Sequence, residues 1–263
     1  CPSRGLGDVY KRQFNKTVHR LILLLLIKYK TMNISSSHRI VRIQGKDSLE
    51  FLQGQLSNDL KSTKKEYLQK NAICNIKGRI IALLWVNKIN DESFDLIVDS
   101  SIVEKTFETL KKYKVFYKSD MVLLKDEPKN YNILKTEDWK TNCIKDGICE
   151  INSSTTEIFT PHDLGYQNLE IINFEKGCFT GQEVIARMHY RAKLKSSLYI
   201  ISSTSIESIN EGDNIYDENQ KVVGKVASKI GQLGLIYLKN SEKSEDLYDE
   251  DGDKFDLTNL KLV

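Results

Sequence analysis

The hydrophobic and polar positions in the first half of the chain change their period along the sequence. Residues Arg39–Leu60 predict a strand followed by a helix, and residues Tyr67–Val98 predict about three strands, including the apolar run Ile80–Val86. In residues Ile102–Tyr113 the apolar positions recur at helical spacing, and residues Val115–Leu124 return to strand-like composition. This mixture of elements predicts the α+β fold class.

The end of the chain alternates strand-like segments with short turns. The predicted turns lie at Gly212-Asp213, Glu218-Asn219 and Gly231. Such alternation is typical of a small antiparallel barrel or sandwich. We place a domain boundary near residues 194–197, which predicts one α+β region over 32–194 and a small antiparallel barrel or sandwich over 195–263.

The first 31 residues have a different character. The apolar run Leu21–Ile27 is too short to span a bilayer, a basic segment follows it, and no small-residue cleavage site is visible. We therefore predict neither a membrane span nor an export signal. Residues Asp8–Gln13 resemble the translated end of a transposon that is used to prepare sequencing libraries. We interpret residues 1–31 as a non-native leader, with Met32 as the predicted start.

Composition and charge narrow the classes of protein that the chain can represent. The chain is 40% hydrophobic and 29% charged, which is enough apolar material for a core or two. Its 39 basic and 36 acidic residues are mixed along the sequence and give a formal net charge of +3. Because no basic stripe is visible, no direct nucleic-acid partner is predicted. We expect a cytoplasmic monomer without membrane association.

The spacing of the cysteines does not favour a metal site. The chain has 5 cysteines, which without an export signal are expected to be thiols rather than disulfides. Cys143 and Cys149 are separated by five residues, with no Cys-x-x-Cys pair and no nearby histidine to complete a ligand set. We therefore predict no permanent metal site.

The segment Lys176–Glu183 places one cysteine directly before a helix start. Thr180 and Glu183 have the spacing of a capping box, which predicts a helix from about Gly181. Cys178 then lies just outside the positive end of the helix dipole and close to Lys176, and both favour a thiolate. The alternative is that Cys178 is a small, buried and inert apolar residue.

Glu183 and Arg187 are four residues apart on the predicted helix. An arginine here has the right chemistry to bind the carboxylates of a ligand. An intrahelical ion pair explains the same residue without a ligand, and we favour that pair.

The segment Lys176–Glu183 resembles the signature of folate-binding proteins related to the glycine-cleavage aminomethyltransferase. The pattern is Lys-Gly-Cys, an aromatic residue, any residue, then Gly-Gln-Glu, and the chain fits every defined position. The resemblance is to the branch linked to iron-sulfur protein maintenance, called YgfZ in bacteria, which has a mitochondrial counterpart. Further segments resemble the family in the same order, namely Val41–Leu60, Asn71–Val86, Phe159–Leu169 and Gly212–Ser228.

The resemblance implies an aminomethyltransferase-like folate-binding fold with a C-terminal small β-barrel. Fuller members of the family have a substantial middle domain after the region that corresponds to Leu124. Here only about a dozen residues join Leu124 to the segment around Trp139. We therefore expect a shortened middle domain, which would open or reshape the family's pterin pocket.

The resemblance also implies candidate residues for binding tetrahydrofolate. Trp139 keeps the spacing to a glycine seen in relatives that use this tryptophan at the folate site, where an indole can stack on a pterin ring. The alternative is a core tryptophan. His38 aligns with a second aromatic position of some relatives. Asn58 and Asp59 lie in a turn that brings polar groups toward the central cavity in related proteins, and helix capping is their alternative role.

The function implied by the resemblance is that of a tetrahydrofolate-binding accessory protein. It would support assembly or repair of iron-sulfur clusters in client enzymes, including enzymes that modify tRNA, and Cys178 with Lys176 would carry the chemistry. One alternative is a folate-dependent aminomethyltransferase, for which Asp59 is the candidate carboxylate. The other is an interaction module that has lost folate together with its middle domain.

Overall fold

The structure is a computed structural model that describes residues 32–263 except 66, 126–129, 192–195, 240–245 and 257–258. The predicted leader and residues 194 and 195 of the predicted domain boundary lie outside the described residues. The division into two domains therefore stays a prediction.

The first half of the described chain builds a five-stranded antiparallel sheet in the order β3-β4-β5-β2-β6. The elements in chain order are β1 (Met32–Ser35), β2 (His38–Gln44), α1 (Ser48–Gln53), β3 (Leu68–Cys74), β4 (Ile80–Asn90), β5 (Ser93–Asp99), α2 (Val103–Lys114), β6 (Asp120–Leu123), β7 (Tyr131–Leu134) and α3 (Thr136–Lys145). The predicted strand and helix of residues 39–60, the three strands of residues 67–98 and the helix of residues 102–113 are confirmed.

Both faces of this sheet are covered. Phe51 and Leu52 of α1 are fully buried in the main core, to which the sheet also contributes. A parallel pair made by β1 and β7 brings Ile34 and Tyr131 into a smaller apolar cluster with Ile40 and Ile97 of the sheet. The predicted strand of residues 115–124 is confirmed only for β6, because residues 115–117 continue the turn that follows α2.

A long irregular segment, residues 146–181, joins α3 to α4 (Gln182–Arg191) and contains no helix or strand. It is nevertheless well packed, since Phe159 and Tyr166 are buried in the main core. Backbone hydrogen bonds from Ile80 N to Phe159 O, at 2.9 Å, and from Glu157 N to Ile80 O, at 2.7 Å, attach it to the start of β4. The segment that carries Cys178 is therefore held against the sheet.

The C-terminal part forms a second five-stranded antiparallel sheet in the order β12-β8-β11-β10-β9. Its strands are β8 (Ser196–Ser202), β9 (Asn214–Tyr216), β10 (Val222–Ile230), β11 (Leu233–Lys239) and β12 (Lys261–Leu262). Leu198, Ala227 and Leu235 contribute to the main core, whereas Ile215 and Ile236 belong to a second core. The predicted α+β class with an antiparallel C-terminal part is confirmed. No helix in the described part of the chain has the length and apolar character to cross a membrane.

Candidate functional site

Cys178 lies in the loop that leads into α4. The Oδ1 atom of Asn173 accepts hydrogen bonds from the backbone N–H groups of Glu175 and Lys176, at 2.8 and 3.0 Å, and this turn shapes the loop. Cys178 is exposed, which excludes the alternative of a buried filler. Its reactive role stays a prediction.

The three other described cysteines are buried and chemically different from Cys178. Burial raises the pKa of Cys74 to about 12, and it also raises the pKa values of Cys143 and Cys149. Their thiols therefore stay protonated at neutral pH. Within the described residues, no group of three or more His, Cys, Asp or Glu side chains is placed to hold a metal ion.

Alkylation should therefore select Cys178. Treatment of the folded full chain with iodoacetamide at about pH 8 should label Cys178 at least about tenfold faster than Cys74, Cys143 or Cys149, since access and thiolate formation limit the reaction. Peptide mapping by mass spectrometry over time measures each site separately. In urea, which unfolds the chain, the labelling rates of the four cysteines should become similar. Equal labelling of Cys178 and Cys149 in the folded chain would contradict the prediction.

Lys176 binds to the end of α1. Its Nζ donates hydrogen bonds to the carbonyl oxygen of Gln53, at 2.7 Å, and to that of Leu56. These carbonyls lie at the negative end of the helix dipole, which favours a cation. Burial nevertheless lowers the pKa of Lys176 to about 8. Lys176 thus attaches the Cys178 loop to α1, and its predicted activation of the thiol stays a prediction.

The predicted capping box of Thr180 and Glu183 is wrong. The hydroxyl of Thr180 instead donates to Oε1 of Gln55 at 3.2 Å. Glu183 pairs with Arg187, whose Nη2 lies 2.7 Å from the Glu183 carboxylate, and the predicted intrahelical ion pair is therefore confirmed. The helix begins at Gln182, close to the predicted start.

Gly181 fixes the approach of α4 to the sheet. Its φ is +85°, which favours glycine, and a Cβ atom at this position would lie 2.5 Å from the carbonyl oxygen of Asn75. The loop before α4 therefore needs glycine both for its backbone conformation and for its contact with the β3–β4 turn. This contact sets the position of Cys178 relative to the sheet.

A second group of residues surrounds the carboxylate of Glu150. The indole N–H groups of Trp85 and Trp139 donate to it at 2.9 and 2.8 Å, and Nε2 of His38 lies 3.1 Å from Oε1. The Nδ1 atom of His38 accepts a hydrogen bond from the backbone N–H of Ser35 at 3.1 Å, which leaves Nε2 as the donor to Glu150. We call His38, Trp85, Trp139 and Glu150 the Glu150 cluster.

The rings of the Glu150 cluster meet edge to face. The ring centroids of His38 and Trp139 are 5.3 Å apart, and those of Trp85 and Trp139 are 5.0 Å apart. His38 and Trp139 are 2% and 7% exposed, whereas the Glu150 side chain is 17% exposed. The structure therefore brings together two of the predicted folate residues, and the carboxylate is more open to solvent than His38 or Trp139.

The environment of Glu150 keeps its carboxylate ionised. Burial alone would raise the pKa of Glu150, but the interaction with His38 and the hydrogen bonds from His38 and both indoles lower it below its ordinary value. A carboxylate offers about four lone-pair sites, and three donors occupy it here. One acceptor site therefore remains for a further donor.

Two members of the cluster, Glu150 and Trp85, are not predicted from the sequence. A signal was present for Glu150, because this carboxylate stands among the apolar residues Ile148, Cys149 and Ile151, where a charge needs partners. Trp85 lies in strand β4, within the apolar run that predicts this strand, and no separate signal marks it.

Asn58 and Asp59 make contacts that match their alternative, structural role. Asn58 Nδ2 donates to the carbonyl oxygens of Lys70 and Glu170, at 3.1 and 2.7 Å. The Asp59 carboxylate accepts from the backbone N–H of Lys61 at 3.0 Å and caps the short 3₁₀ helix of residues 60–62. No hydrogen bond among the described residues joins Asn58 or Asp59 to the Glu150 cluster. Their predicted role in folate binding stays a prediction.

Asn58 lines an open groove of about 950 Å³. The groove is bounded by residues between 58 and 70, between 167 and 175, and at 189 and 190. Lys70 also lines it and lies directly opposite Trp85 in the β3–β4 pairing, so that both side chains share one face of the sheet. The groove therefore approaches the sheet face that carries the Glu150 cluster.

Comparison with known proteins identifies relatives over most of the chain. No family model matches it. An uncharacterized protein of Haemophilus influenzae is 26% identical over 78% of this chain and 86% of the relative. The tRNA-modifying proteins YgfZ of Buchnera aphidicola and Aliivibrio fischeri are 24% and 25% identical, over 81% and 75% of this chain and 79% and 78% of the relatives.

A solved structure shows the same architecture. The glycine cleavage system aminomethyltransferase T from Bartonella henselae superposes with a TM-score of 0.65, covering 89% of this chain and 86% of that chain at 14% identity. The fold is therefore aminomethyltransferase-like. The chain is thus similar in sequence to YgfZ proteins and similar in fold to an aminomethyltransferase. In this chain, the Lys-Gly-Cys segment is a loop that is fixed to α1 and to the β3–β4 turn, with Cys178 exposed.

Proposed function

We propose that this YgfZ-type chain is a cytoplasmic, tetrahydrofolate-binding accessory protein for iron-sulfur enzymes. The observation that carries the proposal is the gathering of Trp139 and His38 around the ionised carboxylate of Glu150. The names of the relatives support a role connected with tRNA modification. The likeness to an aminomethyltransferase of the glycine cleavage system supports a folate as the ligand.

The residues of the Glu150 cluster fit a pterin in two respects. A pterin carries N–H donors along one edge, and Glu150 has one acceptor site left and is 17% exposed. Trp85 and Trp139 add apolar aromatic surface beside that carboxylate. Glu150 would hold and orient the ligand, and the indoles would exclude water from its ring. When bound, the folate would supply a carrier of one-carbon units.

Cys178 is the residue that we propose to act on the client. It is exposed, and its loop is fixed at both ends by Lys176 and Gly181. A thiolate is a ligand that iron-sulfur clusters prefer. We propose that Cys178 contacts a cluster or a sulfur-bearing intermediate of the client enzyme.

Tryptophan fluorescence reports directly on the proposed folate site. The chain has 2 tryptophans, and both donate to Glu150. Addition of tetrahydrofolate should therefore give a saturable change in fluorescence. Replacement of Glu150 by Gln should weaken binding about tenfold or more, because a charge-assisted hydrogen bond contributes about 1.5–3 kcal/mol.

Calorimetry with the same variants should give the same order of affinities, and Phe116→Ala serves as a control, since Phe116 is 82% exposed and lies outside the cluster. Absence of a saturable response in the unmodified chain would refute folate binding. That result would favour an interaction module without folate.

The aminomethyltransferase-like fold supports one second candidate, a folate-dependent aminomethyltransferase. Such an enzyme needs a carboxylate beside the folate nitrogen. Asp59 is occupied by Gln53 and Lys61, so that Glu150 is the better placed carboxylate if the pterin binds at its cluster. Folate-dependent transfer of a methylene group in the purified chain would establish this activity.

A further inference from the structure

The groove next to the Cys178 loop carries an aromatic surface that the proposed folate site does not use. The rings of Phe174 and His189 stack in parallel, with centroids 3.9 Å apart and an interplanar angle of 15°. Tyr190 stands edge-on to His189 at 4.8 Å and is 70% exposed. Tyr67, from a distant part of the sequence, also lines the groove and is 54% exposed. Flat aromatic faces that are open to solvent are platforms for planar ligands.

Polar groups accompany these rings. Lys64 and Lys70 line the groove together with Glu170 and Glu175, so that the lining carries two cations and two anions. Burial lowers the pKa of Lys70, and the charge interactions with Asp146, Glu170 and Cys143 act in the opposite direction. This balance of charge gives little long-range attraction for a polyanion, and binding in the groove must depend mainly on stacking and hydrogen bonds.

Gln167 gives an independent indication of a ligand. It lines the groove, and its Oε1 atom is buried without a hydrogen-bond partner. An unpaired buried acceptor is costly, and rotation of the Gln167 amide toward the groove would let a donor from a ligand remove that cost. The exocyclic amino groups of nucleobases are donors of this kind.

We propose that the groove binds a short single-stranded segment of RNA. Its bases would stack on Tyr190, His189 and Tyr67, and Gln167 would accept a hydrogen bond from a base. Lys64 and Lys70 would contact the backbone phosphates. The volume of about 950 Å³ and the open form suit an extended strand rather than a duplex.

A peptide is the other macromolecule that such a groove could hold. Exposed rings at Tyr67 and Tyr190, which are far apart in the sequence but line one groove, favour successive flat bases over side chains of mixed shape. The net charge of +3, which argued against nucleic acid, describes the whole chain and not this groove. The inference is independent of folate binding.

Fluorescence anisotropy of the full chain with a fluorescein-labelled single-stranded RNA of about ten nucleotides tests the proposal. Binding should be saturable, and Tyr190→Ala and Tyr67→Ala should each weaken it about 5- to 100-fold. With two lysines on phosphates, the slope of log affinity against log salt should be about −1.4. Phe116→Ala, another change at an exposed aromatic residue, should leave the affinity unchanged.

Circular dichroism of each variant should match the unmodified chain, because Tyr190 and Tyr67 are exposed. The tetrahydrofolate response of Tyr190→Ala should also be unchanged, so that failure of RNA binding is distinguishable from failure of folate binding. Absence of saturable RNA binding overturns the proposal, as does equal affinity for a duplex or an equal loss in Phe116→Ala. Peptides that bind in place of RNA and lose affinity in Tyr190→Ala would assign the groove to protein instead.

Discussion

Replacing Cys178 with alanine should abolish the support of client enzymes and leave the fold intact. Cys178 is exposed, and its side chain makes no hydrogen bond with any residue that the structure describes. The free energy of unfolding should therefore change by less than about 0.5 kcal/mol. The measurement is the amount of modified nucleosides in tRNA, by mass spectrometry, from cells that lack the native protein and express the variant.

Arg187→Ala is the matched control. It removes an exposed side chain from the helix that follows the same loop, and its ion pair with Glu183 contributes only about 0.3–0.5 kcal/mol. This control should retain full support of the clients. Full complementation by Cys178→Ala would refute a role for the thiol and leave the folate proposal standing.

Replacing Glu150 with alanine should cost about 3–5 kcal/mol of the free energy of unfolding, because three donors lose a shared, largely buried acceptor. Urea denaturation monitored by circular dichroism measures this change in the free energy of unfolding without relying on the tryptophans of the cluster. Glu183→Ala, which removes a carboxylate that is 85% exposed, should change the stability by less than about 1 kcal/mol. A similar small effect for Glu150→Ala would show that the cluster adds little to the fold.

The pH dependence of stability tests the same carboxylate. Because the folded chain holds the pKa of Glu150 below the ordinary value of 4.5, its contribution to stability is present above that value and is lost as the pH falls through the lowered pKa. The unmodified chain should therefore lose stability between about pH 5 and pH 3 more steeply than Glu150→Gln does.

Local patterns were sufficient for the elements whose cause is local. The strands β3–β5 and helix α2 follow from apolar spacing within each segment, and the structure has them where the spacing predicts. The parallel pairing of β1 with β7 joins Asn33 to Asn132, which are 99 positions apart. No pattern within either segment predicts this pairing. The same limit explains why the predicted capping box is wrong, since Thr180 donates its hydrogen bond to a residue 125 positions away.

The candidate site shows the same division between local and distant causes. Cys178 could be found from its segment alone, because the glycines and the following helix are contiguous with it. The Glu150 cluster could not, because Glu150 lies 112 positions from His38 and 65 from Trp85. The resemblance to a family supplied two members of that cluster, and only the folded chain supplied the carboxylate that unites them.

One feature of α1 links the groove to the thiol. Asn58 lines the groove, its neighbour Asp59 accepts a hydrogen bond from the Gln53 side chain at 2.7 Å, and the Gln53 carbonyl receives the ammonium of Lys176. A series of adjacent polar contacts therefore connects the wall of the groove with the loop that carries Cys178. Gln53 is therefore a shared anchor: its side chain holds the residue next to the groove wall, and its carbonyl oxygen holds the loop that carries Cys178.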